Sequence, residues 1–440
     1  MNYSEALEYL DSFINYERER SVAYPEGFNL DRMVRLAKEF GNPQNSFESI
    51  LIAGSKGKGS TALILSSILR MENYRVGLYT SPHLTDVRER IRFNGLLISE
   101  LRFSEIMSRF QKILQEYMWR KEPPTYFELL TVMAFCHFKE MKAQIVVLEV
   151  GLGGLYDSTN IAKAKVAGIA PISLEHTEIL GKTISKIAVQ KCGIIKGREV
   201  VVSAPQAREA EVVIEAACQE REAELLRVGR EIKITERHHD ENLQNFDVRT
   251  PFGNYFDLST HLRGVYQLEN IALAITLAKA LEKKTRFPVS ESAIRQGVLD
   301  ARWAGRLEKI SERPKIVLDG AHNAESAHKA LEGLKRHFHY ADLVVVLGVS
   351  ADKDLKGILK VILEEASCLV AVQSANPRAR TAQEIAETAS EMSDKEIFTE
   401  ESPEKAMERA LALAGPDDIL WVVGSLHLVG EIRKKYAEGI

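Results

Sequence analysis

The sequence predicts an α/β protein built on a parallel-rich sheet with helices on both faces. Strand-like apolar runs alternate with helix-like amphipathic stretches, and one strand leads through a glycine-rich loop into a helix. A chain of 440 residues is longer than one hydrophobic core usually serves, so we expect two domains. The alternation restarts after Asp300, which predicts a larger domain over residues 1–300 and a smaller α/β domain over residues 301–440.

The larger domain holds the glycine-rich loop between two well-marked elements. The apolar run Ser49–Ala53 predicts a buried strand, and Thr61–Met71 has helical periodicity. Between Glu231 and Phe256 the chain turns polar with short alternating segments, which predicts a β-rich excursion rather than another strand–helix unit. Three further apolar runs predict strands of the main sheet: Arg75–Thr80, Ala143–Val150 and Lys165–Ile172.

A second strand and helix series predicts the smaller domain. It follows the strongly helical segment Leu268–Leu281. Four apolar runs predict its strands: Ile316–Asp319, Leu343–Gly348, Leu369–Gln373 and Ile419–Gly424.

Composition excludes several classes of protein. With 58 basic and 62 acidic residues the net charge is −4, so we expect no nucleic-acid or membrane partner, and a bound anion must be held locally. The four cysteines are too scattered for a zinc site or a disulfide scaffold. Acidic residues such as Glu5, Glu8 and Asp11 argue against a signal peptide, and no apolar run is long enough to span a membrane. We therefore expect a cytoplasmic protein.

The glycine-rich segment has the composition of a phosphate-binding loop. Small residues let backbone N–H groups surround phosphate oxygens, and the following helix N-terminus favours negative charge. The spacing differs from the usual G-x-x-x-x-G-K-[ST] pattern because Gly59 separates Lys58 from Ser60. Such a loop can also be a flexible turn, but the strand and helix around it favour phosphate binding. The candidate ATP-binding residues here are Gly54, Ser55, Lys56, Gly57, Lys58, Gly59 and Ser60.

Glu149 ends an otherwise apolar strand and precedes a Gly-Leu-Gly-Gly turn. Ligands of open parallel sheets bind at the carboxyl ends of strands, and a carboxylate there can hold Mg²⁺ that bridges phosphate oxygens. A solvated glutamate is the alternative. The apolar surroundings favour the functional interpretation, because a buried carboxylate without a partner is costly.

Nine segments in co-linear order, spanning nearly the whole chain, carry a family resemblance. They resemble the folylpolyglutamate synthase/dihydrofolate synthase family of the Mur ligase superfamily far more specifically than any single motif. The segments are AGSKGKGS (53–60), TSPHL (80–84), PTYFELLT (124–131), EVGLGGLYDSTN (149–160), EHTEILGKTISKIAVQKCGIIK (175–196), AGRLE (304–308), LDGAHN (318–323), DKD (352–354) and GSLHLVGEIR (424–433).

The resemblance implies a P-loop ATPase domain of Mur ligase type, followed by a Rossmann-like domain that helps to bind ATP and glutamate. It implies ATP-dependent ligation of L-glutamate to dihydropteroate or to the glutamate tail of a reduced folate. ATP would first convert the carboxylate to an acyl phosphate, which the amine then attacks, releasing ADP and phosphate. Domain closure would assemble the site and exclude water. We expect a monomer, since each chain carries one site.

The resemblance also implies roles for individual residues. Lys58 would be the cation of the phosphate loop and, with Glu149, His176 and Lys191, would form the catalytic set. Lys191 matches a lysine that is carbamylated in the family, although a plain salt bridge is the alternative. The expected magnesium ligands are Ser81, Glu149, His176 and, if carbamylated, Lys191; a monovalent cation is a further expected cofactor. ATP contacts outside the loop are expected from Gln267, Asn270, Arg306, Asp319 and His322.

Substrate contacts are implied in three places. The turn after Thr80 would contribute Ser81, Pro82 and His83. The pterin would contact Thr125, Phe127, Tyr156, Asp157 and Ser158, although Phe127 could equally be a core residue. Glutamate would contact Ser425 and His427, for which an ordinary helix cap is the alternative.

Four residues depart from the family pattern. Lys56 stands in place of an asparagine, and the other departures surround the metal and acceptor region: Leu155 for arginine, Glu175 for aspartate and Gln190 for glutamate. They leave open a Mur-type ligase that acts on another acid or amino acid. A nucleotide-binding protein without turnover is a further alternative. Five retained residues argue against it: Lys58, Ser81, Glu149, His176 and Lys191.

Overall fold

The protein is described here from a computed structural model that covers residues 1–16 and 30–437. Residues 17–20 belong to the N-terminal segment whose acidic residues argue against a signal peptide, and they lie outside the described part. In the described part, no helix combines the length and apolar character needed to cross a membrane. The four cysteines are buried free thiols.

The main sheet has eight strands in the order β4-β3-β2-β5-β1-β6-β7-β8. Strands β2, β5, β1, β6, β7 and β8 run parallel, and β3 and β4 form an antiparallel hairpin at one edge. Parallel strands buried on both faces need near-continuous apolar side chains, which the first strand provides. The strands are β1 Glu48–Ala53, β2 Val76–Tyr79, β3 Ile91–Phe93, β4 Leu96–Leu97, β5 Ile145–Glu149, β6 Ala164–Ile169, β7 Val200–Ser203 and β8 Glu224–Arg227.

A three-stranded antiparallel sheet, ordered β11-β10-β9, follows the main sheet in the chain. Its strands are β9 Lys233–His239, β10 Gln244–Thr250 and β11 Gly253–Thr260. The expected β-rich excursion is therefore confirmed, and it extends four residues beyond Phe256. Phe246, Val248 and Leu258 bury it against the helical side of the main sheet.

The third sheet has six strands in the order β12-β13-β17-β14-β15-β16. All its neighbours are parallel except β12, which pairs antiparallel with β13. The four expected strands of this series are present, and β12 and β16 are additional. The strands are β12 Glu308–Glu312, β13 Lys315–Leu318, β14 Leu343–Leu347, β15 Cys368–Val372, β16 Glu396–Glu400 and β17 Ile419–Val423.

Helices cover both faces of the two larger sheets and divide the interior into four apolar clusters. This confirms the α/β class. Short 3₁₀ turns occur at Pro43–Asn45, Val87–Arg90 and Ser158–Ile161. The helices are α1 Tyr3–Asp11, α2 Leu30–Glu39, α3 Lys58–Met71, α4 Glu100–Ile113, α5 Tyr117–Lys121, α6 Tyr126–Glu140, α7 Thr177–Leu180, α8 Ile184–Cys192, α9 Arg208–Glu220, α10 Val265–Lys284, α11 Glu291–Asp300, α12 Ala324–His337, α13 Leu355–Glu365, α14 Ala382–Ser390, α15 Pro403–Leu413 and α16 Leu426–Tyr436.

The two larger sheets meet where α16 packs on the loop that follows β2. A Cβ on Gly430 of α16 would lie 2.3 Å from the backbone oxygen of Leu84, and a Cβ on Gly305 would lie 3.1 Å from Val429. At position 430 only glycine permits this close approach to the backbone of Leu84. This contact holds the six-stranded sheet against the carboxyl-end loops of the eight-stranded sheet.

Candidate active site

The site lies at the carboxyl ends of three adjacent parallel strands. In the main sheet β1 lies between β5 and β6. The glycine-rich loop follows β1, Glu149 ends β5, and the segment with Glu175 and His176 follows β6. Ligands of open α/β sheets bind at this edge. The topology therefore brings together three segments that are far apart in sequence.

The glycine-rich loop is shaped to surround an anion. Gly54 and Gly57 have φ of +146° and +79°, where L side chains are rarely found. A Cβ on Gly57 would lie 2.4 Å from Oδ1 of Asn270, so this position also lacks room for a side chain. Helix α3 begins at Lys58, directly after the loop. Its N-terminal N–H groups favour negative charge at this place.

Two lysine ammonium groups converge on the loop. Nζ of Lys58 donates to the backbone oxygen of Gly54 at 2.9 Å, and Nζ of Lys191 donates to the same oxygen at 2.7 Å. Lys191 is 1% exposed and also donates to Oε1 of Glu175 at 2.8 Å. Burial lowers the pKa of Lys191, whereas the Lys191 and Lys58 cations hold the pKa of Glu175 well below its usual range. Glu175 is therefore an anion at neutral pH.

Glu149 is a buried carboxylate beside these cations. It is 4% exposed, and its Oε2 accepts a hydrogen bond of 2.9 Å from the backbone N–H of Ser81. Burial raises the pKa of Glu149 to about 7, although Lys58 opposes the shift. A divalent cation would restore the ionised form, because it supplies the charge that burial removes from the surroundings.

His176 is the N-cap residue of α7 and has a left-handed φ of +45°. Enclosure by the walls of the site lowers the pKa of its imidazole to about 4; Glu175 opposes this, and Lys58, Lys191 and Lys353 add to it. The imidazole is therefore neutral at physiological pH, with a lone pair that can bind a cation.

The six-stranded sheet contributes the opposite wall. Asp319 is 3% exposed, and its two oxygens accept hydrogen bonds from the backbone N–H groups of Leu307 and Ala321 at 2.9 and 2.8 Å. These bonds fix the loop that carries Arg306. His322 Nδ1 donates to the backbone oxygen of Gly320 at 2.9 Å, since a carbonyl can only accept. Its Nε2 is therefore the unprotonated nitrogen.

Charge links the two walls. Burial lowers the pKa of His322 to about 3, and Lys56 of the glycine-rich loop is the largest charged contributor, followed by Lys353 and Arg306. Lys56 also interacts with Glu175 and with Glu325 of α12. The expected loop and C-terminal residues therefore surround one cationic cleft.

The two ATP contacts expected on α10 lie beside the glycine-rich loop. Gln267 and Asn270 are 1% and 3% exposed on α10, and Nδ2 of Asn270 donates to Oε1 of Gln267 at 2.9 Å. Oδ1 of Asn270 lies 3.5 Å from the Thr61 hydroxyl. In this arrangement the hydrogen-bonded pair packs against Gly57 and the first turn of α3.

The residues expected at the pterin site surround the turn after β5. Thr125 caps α6 through its hydroxyl, and the ring of Phe127 lies against Gly151, where a Cβ would come within 2.5 Å of it. Asp157 caps the 3₁₀ turn that begins at Ser158. Tyr156 is half-buried beside them.

Asp157 uses its carboxylate within its own loop. Oδ2 accepts from the backbone N–H groups of Gly151 and Leu152 at 3.0 and 2.9 Å, and Oδ1 accepts from the N–H and hydroxyl of Thr159 at 3.0 and 2.5 Å. The residue is 4% exposed. These contacts give Asp157 a structural role in addition to any contact with substrate.

The other expected substrate residues occupy turns around the cleft. The Ser81–Pro82 peptide bond is cis. Ser425 is the N-cap of α16, where its hydroxyl accepts from the N–H of His427 at 3.1 Å, so the helix-cap alternative describes its contacts here. His427 is exposed on the first turn of α16.

Two residues of this region were not singled out from the sequence. Arg90 is 1% exposed, donates from Nε to Nδ1 of His83 at 2.9 Å, and lies over the ring of Tyr126. Lys353 belongs to the Asp-Lys-Asp motif, and its charge acts on both His176 and His322. The motif was a sufficient signal for Lys353, whereas nothing in the local sequence distinguishes Arg90 from a surface arginine.

Within residues 1–16 and 30–437, no three His, Cys, Asp or Glu side chains are grouped closely enough to hold a metal ion by themselves. Mg²⁺ usually binds one or two carboxylates together with water and substrate phosphates. The buried Glu149 beside the phosphate loop, with Ser81 next to it and the neutral His176 nearby, fits that pattern of a metal held jointly with a nucleotide.

Comparison with known proteins agrees with this site. The Mur ligase middle domain model matches residues 52–278, and the model of the Mur ligase glutamate ligase domain matches residues 305–426. The dihydrofolate synthase/folylpolyglutamate synthase of Bacillus subtilis is 33% identical over 92% of this chain and 94% of its own. The folylpolyglutamate synthase of Lacticaseibacillus casei is 30% identical, with both chains fully covered.

Solved structures are similar across the whole chain. The Mycobacterium tuberculosis folylpolyglutamate synthase complexed with ADP has a TM-score of 0.89 at 29% identity, covering 99% of this chain and 98% of its own. A complex of folylpolyglutamate synthase with AMPPCP and folate has a TM-score of 0.85 at 30% identity, with 99% of each chain covered. The chain belongs to the folylpolyglutamate synthase/dihydrofolate synthase family of the Mur ligases and has their P-loop ATPase and C-terminal α/β architecture.

Proposed function

We propose that this protein joins L-glutamate to dihydropteroate, to the glutamate tail of a reduced folate, or to both, with cleavage of ATP to ADP and phosphate. The observation that carries the proposal is the cleft in which a phosphate-binding loop, the buried Glu149 and cations from both walls face one another. The Bacillus relative, named for both activities, and the folate complex of a structural relative support the substrate class.

The chemistry needs activation because a carboxylate is a poor electrophile. An oxygen of the folate carboxylate attacks the γ-phosphorus of ATP, and the bond from phosphorus to the β-γ bridging oxygen breaks, giving an acyl phosphate and ADP. The glutamate amine then attacks the acyl carbon, loses a proton, and displaces phosphate. Lys58 and the α3 N-terminus would stabilise the charge on the phosphoryl group in flight, and Arg306 with Lys353 would add cations from the opposite wall.

Ser81, Glu149 and His176 would hold Mg²⁺ together with the phosphates. When bound, the ion neutralises phosphate charge and orients the γ-phosphoryl group. The residues of this chain keep the arrangement in place: the Ser81 N–H orients the Glu149 carboxylate, and the neutral His176 offers a nitrogen rather than a competing positive charge.

Lys191 is proposed to be carbamylated under conditions that supply a nearby cation. Its present contacts, with Glu175 and the Gly54 oxygen, suit a protonated amine. A carbamate there would face two oxygen acceptors, so it would need a cation, divalent or monovalent, between it and them. Its lowered pKa increases the fraction of neutral amine that can react with CO₂.

The division into domains 1–300 and 301–440 is part of the proposal. Its support is that the six-stranded sheet lies wholly beyond Asp300 and has its own apolar clusters. Movement between these domains would open the cleft to substrates and close it against water that hydrolyses acyl phosphates. Ser425 and His427 would then contact glutamate from the smaller domain. A monomeric state and a cytoplasmic location remain predictions from the sequence.

The proposal is tested by phosphate release from purified protein with Mg-ATP. We expect release only when both the acid and L-glutamate are present, with dihydropteroate and tetrahydrofolate assayed separately. Product masses should increase by one glutamate residue. A background ATPase that is indifferent to both organic substrates would contradict the proposal.

A ligase with another amino acid or acid is the second candidate, because Lys56 adds a cation near Glu175 and Leu155 replaces the usual arginine beside the acceptor site. A panel of acids and amino acids, read by mass spectrometry, separates it from the first. The Lys56→Asn variant, which restores the family residue, should change the KM for substrate if Lys56 contributes to selectivity.

A further inference from the structure

A basic groove opens at the edge of the main sheet opposite to the candidate active site. Its volume is about 850 Å³, and its lining includes Glu48, which begins β1, and residues just before β2 and β5. Six of the lining side chains are cations: Arg75, Lys139, Lys142, Lys165, Lys284 and Arg286. Glu48 is the carboxylate in the lining. The groove is thus strongly positive in a protein whose net charge is −4.

Within residues 1–16 and 30–437, none of the six cations of the groove is in an ion pair. Two of these cations hydrogen-bond to neutral backbone oxygens: Nε of Arg75 donates to that of Lys142 at 2.7 Å, and Nζ of Lys284 donates to that of Arg198 at 2.9 Å. Lys139 donates to the backbone oxygen of Gly41 at 3.3 Å. Lys283, next to Lys284 on the same helix, instead pairs with Glu224 at 3.0 Å.

Helix dipoles account for only part of this cluster. The C-terminal ends of α6 and α10 lie at this edge and favour the nearby Lys139 and Lys284. Arg75 and Arg286 lie outside helices, and Lys165 is in strand β6. Like charges gathered in one concavity repel each other, and an anion bound among them would relieve that repulsion.

We propose that this groove binds a compact polyanion carrying at least three negative charges, as an oligocarboxylate or an oligophosphate. Two half-buried aromatic residues give it rigid walls: Phe47 packs on Phe135 with ring centroids 6.0 Å apart, and Phe287 on Tyr74 at 5.1 Å. Exposed lysine side chains are flexible, so their affinity for an anion depends more on the charge of the anion than on its exact shape. Six cations in one groove favour an anion that carries several charges over an anion that carries one.

The groove is separate from the phosphate loop. The six residues of strand β1 lead from Glu48 in the groove to Gly54 in the loop, a distance of about 20 Å. An anion in the groove would therefore bind alongside ATP rather than compete with it. The proposal does not depend on the identity of the ligase substrates.

The test is calorimetric titration of the full chain with two probes, inorganic tripolyphosphate and γ-linked triglutamate, at low and moderate salt. The groove variant is Lys165→Glu/Arg286→Glu. Its matched control is Lys360→Glu/Lys434→Glu, which makes the same change in net charge at exposed lysines elsewhere. A Lys58→Ala variant identifies binding at the phosphate loop.

We expect saturable, salt-sensitive binding that the groove variant weakens roughly tenfold and that the control and Lys58→Ala variants retain. Whichever probe binds identifies the chemistry of the anion. Circular dichroism and the ligase assay check that the variants are folded. If the charge reversal unfolds the protein, the milder Lys165→Gln/Arg286→Gln variant replaces it, and we expect that variant to weaken binding about threefold. Absence of saturable binding by either probe, equal binding by the groove variant, or loss only in Lys58→Ala would overturn the proposal.

Discussion

Substitution of Asp157 tests whether a residue of the candidate site supports the fold of its loop or contacts substrate. Resemblance to the family implies a pterin contact, whereas the structure gives its carboxylate four donors: the N–H groups of Gly151, Leu152 and Thr159 and the Thr159 hydroxyl. The Asp157→Ala substitution would remove all four bonds. Three backbone N–H groups would lose their acceptor at about 1 kcal/mol each; that of Thr159 is buried, and those of Gly151 and Leu152 are half-buried. We expect a loss of about 3 kcal/mol in the free energy of unfolding.

The assay is urea unfolding of each variant, with steady-state kinetics under conditions where the protein stays folded. Asp240→Ala is the matched control, because Asp240 accepts from the N–H groups of Asn242 and Leu243 in the same way but is exposed. Water can replace that acceptor, so we expect a much smaller loss of stability than for Asp157→Ala. Thr159→Val removes the hydroxyl donor alone and should have an intermediate effect.

The reasoning would be refuted if Asp157→Ala and Asp240→Ala were equally stable. A large rise in the KM for the pterin acid with unchanged stability would show that Asp157 acts through substrate contact alone. A loss of stability together with lowered activity toward every acid is the result expected for a residue that shapes the turn after β5.

Three further predictions concern the loop and the core. Gly57→Ala should weaken ATP binding at least tenfold, measured by calorimetry, because its Cβ would meet Asn270. Its control is Gly229→Ala, which is also at positive φ but has open space around it and should cost only about 1 kcal/mol of stability in urea unfolding. Lys58→Met should lower turnover about a hundredfold while the protein remains folded, measured by phosphate release; unchanged turnover would contradict the role of Lys58. Burial lowers the pKa of His137 to about 4, so the unfolded chain binds more protons below pH 6.5 and stability falls as the pH drops from 6.5 towards 4. His137→Leu should remove about 2 kcal/mol of that loss at pH 5, and an unaltered pH profile of unfolding would contradict it.

The main elements could be predicted from sequence because apolar periodicity survives in single segments. The run Ser49–Ala53 became β1 with one added residue, and Leu268–Leu281 became the core of α10. The β3–β4 hairpin could not be found in this way, because β4 is two exposed leucines with no burial pattern. Strand β16 is similarly half-exposed at a sheet edge, where apolar alternation is weak.

The site was predictable where a residue type is chemically unusual for its position. A glutamate at the end of an apolar strand and a glycine-rich loop before a helix are such signals, and both lie in the cleft. The contacts that hold Glu149 and the glycine-rich loop in place depend on the order of the strands in the sheet, which local sequence does not reveal. Arg90 behind His83 and the shared Gly54 oxygen between Lys58 and Lys191 arise only when distant segments meet. Asp157 illustrates the reverse case, since a motif residue can be occupied in shaping its own loop.

The central claim is that a mixed anhydride of the acid and phosphate forms in this cleft. It is tested most directly with a folate substrate whose reacting carboxylate carries ¹⁸O. If the carboxylate oxygen attacks the γ-phosphorus and the amine later breaks the acyl carbon–oxygen bond, one ¹⁸O atom must leave with each inorganic phosphate formed by ligation. Phosphate that carries no label, while the amide product accumulates, would contradict the account.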